Sequence, residues 1–258
     1  MVDSIIKLQT EKAFKFHTNP ETLQNYIHYI KMVIKNREQT YFFHHNLHTL
    51  YLYFRDPSIR RLYRDAVVMI DGMPIIGLLR LAGIPAKRHH RVTWVDFIWP
   101  LLDCANENDW RVFYLGNSQD ILDTGLAHIK QRFPDLTIQG HHGYYDDAPG
   151  SAENQRIVDQ INNFGADMCL VGMGTPRQER WVVQNRALLD VPAILVSGAC
   201  LEYVSGSVQT PPRWLGRIGL EWSYRLIENP RRFAYRYFVE PWALAVMLMS
   251  SSLKKSNH

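Results

Sequence analysis

Six short apolar runs, separated by helix-like stretches, constrain this 258-residue chain more than any other feature. The runs cover residues 41–43, 66–70, 111–115, 136–139, 168–171 and 193–196, and several end in polar or flexible pairs such as Asp71-Gly72, Gly116-Asn117 and Ser197-Gly198. Between them lie helical patterns, for example residues 118–133, opened by a serine N-cap, and residues 152–164. Strands that are apolar without alternation are buried on both sides, and strand–helix alternation builds a parallel sheet. The expected fold is α/β, a Rossmann-like parallel sheet core with helices on both faces. In such sheets ligands sit beyond the carboxyl ends of the strands, where the Asp, Gly and Asn residues of this chain fall.

Both ends of the chain depart from that rhythm. The first 40 residues read as helical and amphipathic, with Leu23, Tyr26, Ile27 and Ile30 on one face. The last fifty contain two helical stretches, 214–228 and 233–249, parted by Asn229-Pro230 and followed by no strand. Residues 206–258 carry a net charge of +5 while the rest of the chain sums to −1. A near-neutral body with a basic aromatic tail is either a core with a solvated helix or one whose tail meets an anionic partner, such as a membrane, a diphosphate or nucleic acid. The expected division is an α/β core over residues 1–205 and a C-terminal helical membrane-association appendage over 206–258. Residues 242–249 are apolar all round but too few to span a bilayer, so they can only lie on one.

Several classes of protein are excluded. With 46% hydrophobic residues and 12% aromatics the chain can bury a core, which argues against disorder. Three scattered cysteines do not make a disulfide scaffold and suit a reducing compartment. No apolar stretch resembles a signal peptide or membrane span, so a cytoplasmic location is expected. The phosphate-binding P-loop, the complete dinucleotide fingerprint and the hydrolase elbow are missing, which removes the case for a Rossmann-type oxidoreductase. The doublets His44-His45, His89-His90 and His141-His142 are poor metal sites, because neighbours on a strand face opposite ways. No metal site is expected.

Three segments can carry chemistry. Asp71 follows an apolar strand and precedes Gly72, so it is either a general base at a strand tip or a cap for the helix starting near Pro74. Gly172 and Gly174 allow close backbone approach after another strand. Pro176 then opens a helix whose N-terminus can receive phosphate, and Gln178 can read a uracil or ribose edge; an ordinary turn into a helix fits equally. Arg213 and Arg217 lie four apart and can clamp a diphosphate.

Taken together, Asp71-Gly72, Arg91-Val92-Thr93-Trp94-Val95-Asp96-Phe97, Gly172 through Trp181, Gly219 through Leu226 and Pro230 through Arg232 resemble glycosyltransferase family 26. These bacterial enzymes make wall teichoic acid linkage units, enterobacterial common antigen and exopolysaccharides. The resemblance runs from about Thr40 to Tyr237. It implies an inverting enzyme that moves a sugar from a UDP-sugar to an undecaprenyl-diphosphate-linked sugar; with no Asp-x-Asp motif at a plausible strand end, no metal or other cofactor is expected. It implies Asp71 as base and a donor pocket formed by Asn46, His44, Gly172, Gly174, Pro176, Gln178 and Glu202. Arg213, Arg217, Arg225, Arg231 and Arg232 would reach the acceptor diphosphate. It also implies a peripheral place on the inner face of the bacterial plasma membrane, and leaves a homo-oligomer open.

Departures from the family pattern cluster around the donor pocket: His44 replaces a threonine, Trp94 a glycine, and Leu201-Glu202 a Phe-Asp pair. The family includes a glucosyltransferase branch, so the donor sugar is expected to be glucose or an N-acetylmannosamine type, with glucose favoured. The rival reading is a nucleic-acid-binding α/β protein that uses the basic aromatic tail. Against it, positive charge is confined to the tail and an acidic residue tops a sheet strand, so no nucleic-acid partner is expected.

Overall fold

A computed structural model describes residues 8, 10–209, 221–228 and 230–253. Its core is a six-stranded, wholly parallel sheet formed by β3 (Thr40–His45), β4 (Val67–Ile70), β5 (Val112–Gly116), β6 (Ile138–His141), β7 (Met168–Gly172) and β8 (Ala193–Val196), in the order β4-β3-β8-β7-β5-β6. Each of the six apolar runs meets a strand, though the fourth, expected over 136–139, begins only at Ile138.

Consecutive residues on each strand feed opposite faces, as the pleat requires. Phe43, Val68, Phe113, Cys169 and Ile194 enter one hydrophobic layer. Phe42, Met69, Val112, Met168 and Leu195 enter the other. The first layer is covered by α2 (Leu47–Arg55), α3 (Pro57–Leu62), α4 (Met73–Leu81), α7 (Ala152–Phe164) and α8 (Arg177–Asn185). The second is covered by α1 (Leu23–Asn36), α5 (Trp94–Glu107), α6 (Gln119–Arg132) and α9 (Cys200–Ser205). Residue 118 does occupy the N-cap of α6, though its side chain makes no capping bond, whereas Ser151 caps α7 by accepting from the Asn154 N–H.

The N-terminal expectation needs correction. Helix α1 begins only at Leu23, and before it lies an antiparallel hairpin of β1 (Glu11–Ala13) and β2 (Phe16–Thr18). Its two turn residues, Phe14 and Lys15, both take positive φ, 45° and 69°. Phe16 is buried in the first layer and the Asn19 N–H donates to the Val68 carbonyl, which ties the hairpin to β4.

The tail is helical where described: α10 (Glu221–Glu228), α11 (Pro230–Phe238) and α12 (Glu240–Leu253). The expected single helix from 233 to 249 is two. Pro241 has no N–H to give the carbonyl four residues earlier, so the helix breaks at Val239 and a new one starts. Leu244 and Leu248, one turn apart on α12, are buried in the first layer beside α2. None of the described helices is long and apolar enough to cross a membrane.

Candidate active site

Beyond the carboxyl ends of β4, β3, β8 and β7 the following loops enclose a cleft of about 550 Å³. It is lined from β3 and α2 by His44, Asn46, His48 and Thr49, and from β4 by Asp71. From the opposite side come Gly174, Thr175 and the run Ser197 to Cys200, with Glu202 and Tyr203 from α9. Phe233 and Arg236 of α11 complete the wall.

Asp71 is held by its backbone, whose N–H donates to the His45 carbonyl and so extends the β3–β4 pairing by one residue. The helix that follows is capped without it: Gly72, at φ 127°, occupies the N-cap, and no side chain caps α4. Among the described residues the Asp71 carboxylate has no hydrogen-bond or ion-pair partner, and it borders the cleft half-buried. The cap reading of Asp71 therefore fails.

Asn46 does two jobs. Its Oδ1 accepts from the Thr49 N–H at 3.0 Å while Thr49 Oγ1 accepts from the Asn46 N–H at 2.8 Å, a reciprocal capping box. That fixes the side chain at the cleft edge with the amide NH₂ unspent among the described residues. His44 lines the cleft, but His45 points to the other face, fully buried against Phe16, Tyr53 and Tyr63. Among the described residues neither of its ring nitrogens has a hydrogen-bond partner, and burial lowers its pKa well below 6.5. The doublet thus splits as strand geometry requires, and among the described residues no group of three metal-ligating side chains forms.

The glycine-rich segment is built for close approach. A Cβ on Gly172 would run into the Tyr114 hydroxyl and come within 2.9 Å of the Gly198 carbonyl oxygen. Gly174 has φ 81° and borders the cleft. Pro176 is the N-cap of α8. Gln178 lies fully buried beneath the cleft floor: its Oε1 accepts from the Gly198 N–H at 3.1 Å, and its Nε2 donates to Glu179 Oε1 at 3.0 Å and Thr175 Oγ1 at 3.3 Å. In this arrangement its amide braces the loops after β7 and β8 against each other. Glu202 faces the cleft and accepts from Asn117 Nδ2 at 3.4 Å.

The motif around Arg91 has a structural explanation. Val92 N–H donates to the Ile70 carbonyl, Thr93 Oγ1 donates to Asp96 at 2.8 Å, and Arg91 pairs with Asp96 at 3.9 Å. This carries Thr93 and Trp94 to the cleft, where the indole N–H donates to the Val196 carbonyl at 2.9 Å.

Of the expected diphosphate arginines, Arg213 and Arg217 lie outside the described residues, as do the side chains of Arg225 and Arg232. Arg231 is exposed on α11. Sequence reasoning missed Arg236, which the helical repeat sets three residues after Phe233 on the cleft side of α11, and His48, two residues after Asn46.

The fold and cleft define a class: a parallel α/β protein with a cleft at the carboxyl edge of the sheet and an acidic strand tip among its lining residues. The sequence pattern of the Glycosyl transferase WecG/TagA/CpsF family matches residues 12–258, and the chain belongs to that family. It is similar to two curated proteins, each named N-acetylglucosaminyldiphosphoundecaprenol N-acetyl-beta-D-mannosaminyltransferase. The one from Bacillus subtilis (strain 168) is 29% identical over 181 residues, covering 70% of this chain and 68% of the relative. The one from Staphylococcus aureus (strain MW2) is 24% identical over 205 residues, covering 75% and 78%. The chain is thus a glycosyltransferase, and the nucleic-acid reading is not favoured.

Proposed function

We propose that this glycosyltransferase moves a sugar, with inversion, from a UDP-sugar to a polyprenyl-diphosphate-linked sugar, and that Asp71 is the general base. The observation that carries the proposal is the Asp71 carboxylate, which borders the cleft with no structural partner among the described residues. The acceptor hydroxyl gives its proton to Asp71 as its oxygen bonds to the anomeric carbon from one side. The bond from that carbon to the diphosphate breaks on the other side, and UDP leaves with the electron pair. The backbone around Gly174 and the cleft cations would stabilise the departing phosphates, with no metal required.

The names of both curated relatives favour N-acetylmannosamine over glucose as the transferred sugar and an N-acetylglucosaminyl-diphospholipid as acceptor. A lipid acceptor requires the protein to work at a membrane surface on the side where UDP-sugars are made. The tail supports this reading. On α12, Trp242, Val246 and Met249 share one face and are 75%, 61% and 60% exposed, opposite the docked Leu244 and Leu248. Phe238 and Val239, just before α12, are also exposed, and exposed apolar side chains in a basic tail suit peripheral attachment. Residues 1–205 would then form the catalytic core and 206–258 the appendage that brings it to lipid.

The test is UDP release with a short-chain N-acetylglucosaminyl-diphospholipid acceptor. Asp71→Asn should keep its fold and UDP affinity and lose at least about 10²-fold in turnover, the usual yield of general-base catalysis. Near-wild-type turnover would end the proposal for Asp71. Turnover should persist in EDTA; abolition by EDTA with rescue by Mg²⁺ would refute the metal-free reading.

A further inference from the structure

We propose that His48, oriented by Glu240, is a diphosphate-binding residue of the cleft, so that helix α12 takes part in the active site and not only in its attachment. The proposal rests on the glycosyltransferase reading above. Glu240 is 3% exposed, and both its carboxylate oxygens lie 2.9 Å from His48 Nδ1. Among the described residues this imidazole is the carboxylate's only side-chain partner. A carboxylate accepts and does not donate, so Nδ1 carries the hydrogen and the ring is fixed in one orientation. His48 also lines the cleft as the second residue of α2, two beyond the N-cap Asn46, and its Nε2 has no partner among the described residues.

Two alternatives are weaker. If the pair served only to pin α12 to α2, it would be a poor device, because a buried polar pair adds little over apolar packing, and Leu244 and Leu248 already supply that. If His48 met only sugar hydroxyls, nothing would call for an ionisable couple, since a neutral amide does as well. A carboxylate-backed imidazole on the cleft wall is suited to a ligand that carries negative charge, to which Nε2 can donate when both ring nitrogens carry hydrogen. Arg236, from the helix preceding α12, lines the same cleft and brings a guanidinium cation to it. Donor and acceptor both present a diphosphate to this site, and the experiment separates them.

The full chain is labelled with ¹⁵N-histidine and titrated with UDP and, separately, with farnesyl diphosphate as a soluble lipid-diphosphate probe. The His48 signals are those absent from His48→Gln. The expected result is a shift of the His48 Nε2 resonance at saturation. A shift with UDP assigns the contact to the donor diphosphate, a shift with farnesyl diphosphate alone to the acceptor, and either supports the proposal. For the probe that shifts it, His48→Ala and Glu240→Ala should each bind about tenfold or more weakly, as loss of a charge-assisted hydrogen bond implies. The double variant should be no weaker than His48→Ala. His48→Gln, whose amide N–H can stand in for Nε2–H, should recover part of the loss. If either alanine variant fails to fold, the wild-type titration and His48→Gln decide the matter. A protein that binds UDP while the His48 resonance ignores both probes overturns this inference and leaves the proposed function standing. A wild-type protein that binds no UDP overturns both.

Discussion

Replacing Gln178 by methionine separates two roles for a residue that the family resemblance assigns to nucleotide contact. Methionine has nearly the same length and is at home in a buried site, so packing around Trp181 and Val182 should survive. What is lost is polar. The Gly198 N–H loses the acceptor it now reaches at 3.1 Å, which costs about 1–3 kcal/mol for a donor left unpaired away from water. Glu179 Oε1 loses one of its two donors while Oε2 already has none, a further cost of about 1–2 kcal/mol. The apolar side chain returns part of this, leaving a net destabilisation of about 3 kcal/mol, or roughly 6–12 °C in melting temperature for a chain of this size. Differential scanning calorimetry measures the shift, and UDP titration of the folded variant measures affinity. Because Gly198 lines the cleft, the released loop should also weaken UDP binding. A variant that melts with the wild type yet loses UDP affinity would refute the bracing role and put Gln178 in contact with the nucleotide.

Two other predictions concern the interior and the tail. His45 is held neutral by burial, as in part is His17, so the unfolded chain takes up protons below pH 6.5 that the folded chain refuses. Stability should therefore fall as the pH drops below about 6.5, by up to about 1.4 kcal/mol per pH unit for each such histidine, and His45→Phe should flatten the decline. Urea midpoints between pH 7.5 and 5 test this, and equal slopes in variant and wild type would refute it. On α12, Trp242→Glu combined with Val246→Glu should abolish co-sedimentation with anionic vesicles while changing stability by no more than about 1 kcal/mol, since both positions are exposed. Unchanged sedimentation would remove this face from the membrane contact.

Most of the sheet was legible because β4, β5, β7 and β8 are runs of apolar residues with no polar alternation, the mark of burial on both faces, whereas the partly exposed edge strand β6 reads Ile-Gln-Gly-His. Ala193–Val196 was found with its bounds unchanged. The N-terminal hairpin was illegible for an equally physical reason. Two-residue hairpin turns with positive φ at both positions normally advertise themselves with Asn-Gly or Asp-Gly. Here Phe14 and Lys15 take those angles, and neither signals a turn. The strands flanking them are three residues long, too short for a period, so the strong helical pattern of α1 was carried too far upstream. Asp71 was legible because a polar residue ending an apolar strand has few places to be except the carboxyl edge of the sheet, whereas Asn46 came from the family resemblance alone.

The part of the site that escaped the sequence is the part built from chain separation. His48 follows Asn46 within one helical turn, and nothing local distinguishes it from a solvated histidine at a helix start. Glu240 opens a helix 192 residues later, where an acidic residue is expected for the helix dipole alone. Each residue has a sufficient local explanation, so neither asks for the other. What joins them is the docking of Leu244 and Leu248 beside α2, which lays the first turn of α12 on the first turn of α2 and shuts the carboxylate away from water. Net charge pointed to the tail as the source of cleft cations and drew attention to its arginines. Burial, which net charge does not report, sets a tail carboxylate against His48 at the cleft wall, and a carboxylate removed from water needs a particular partner.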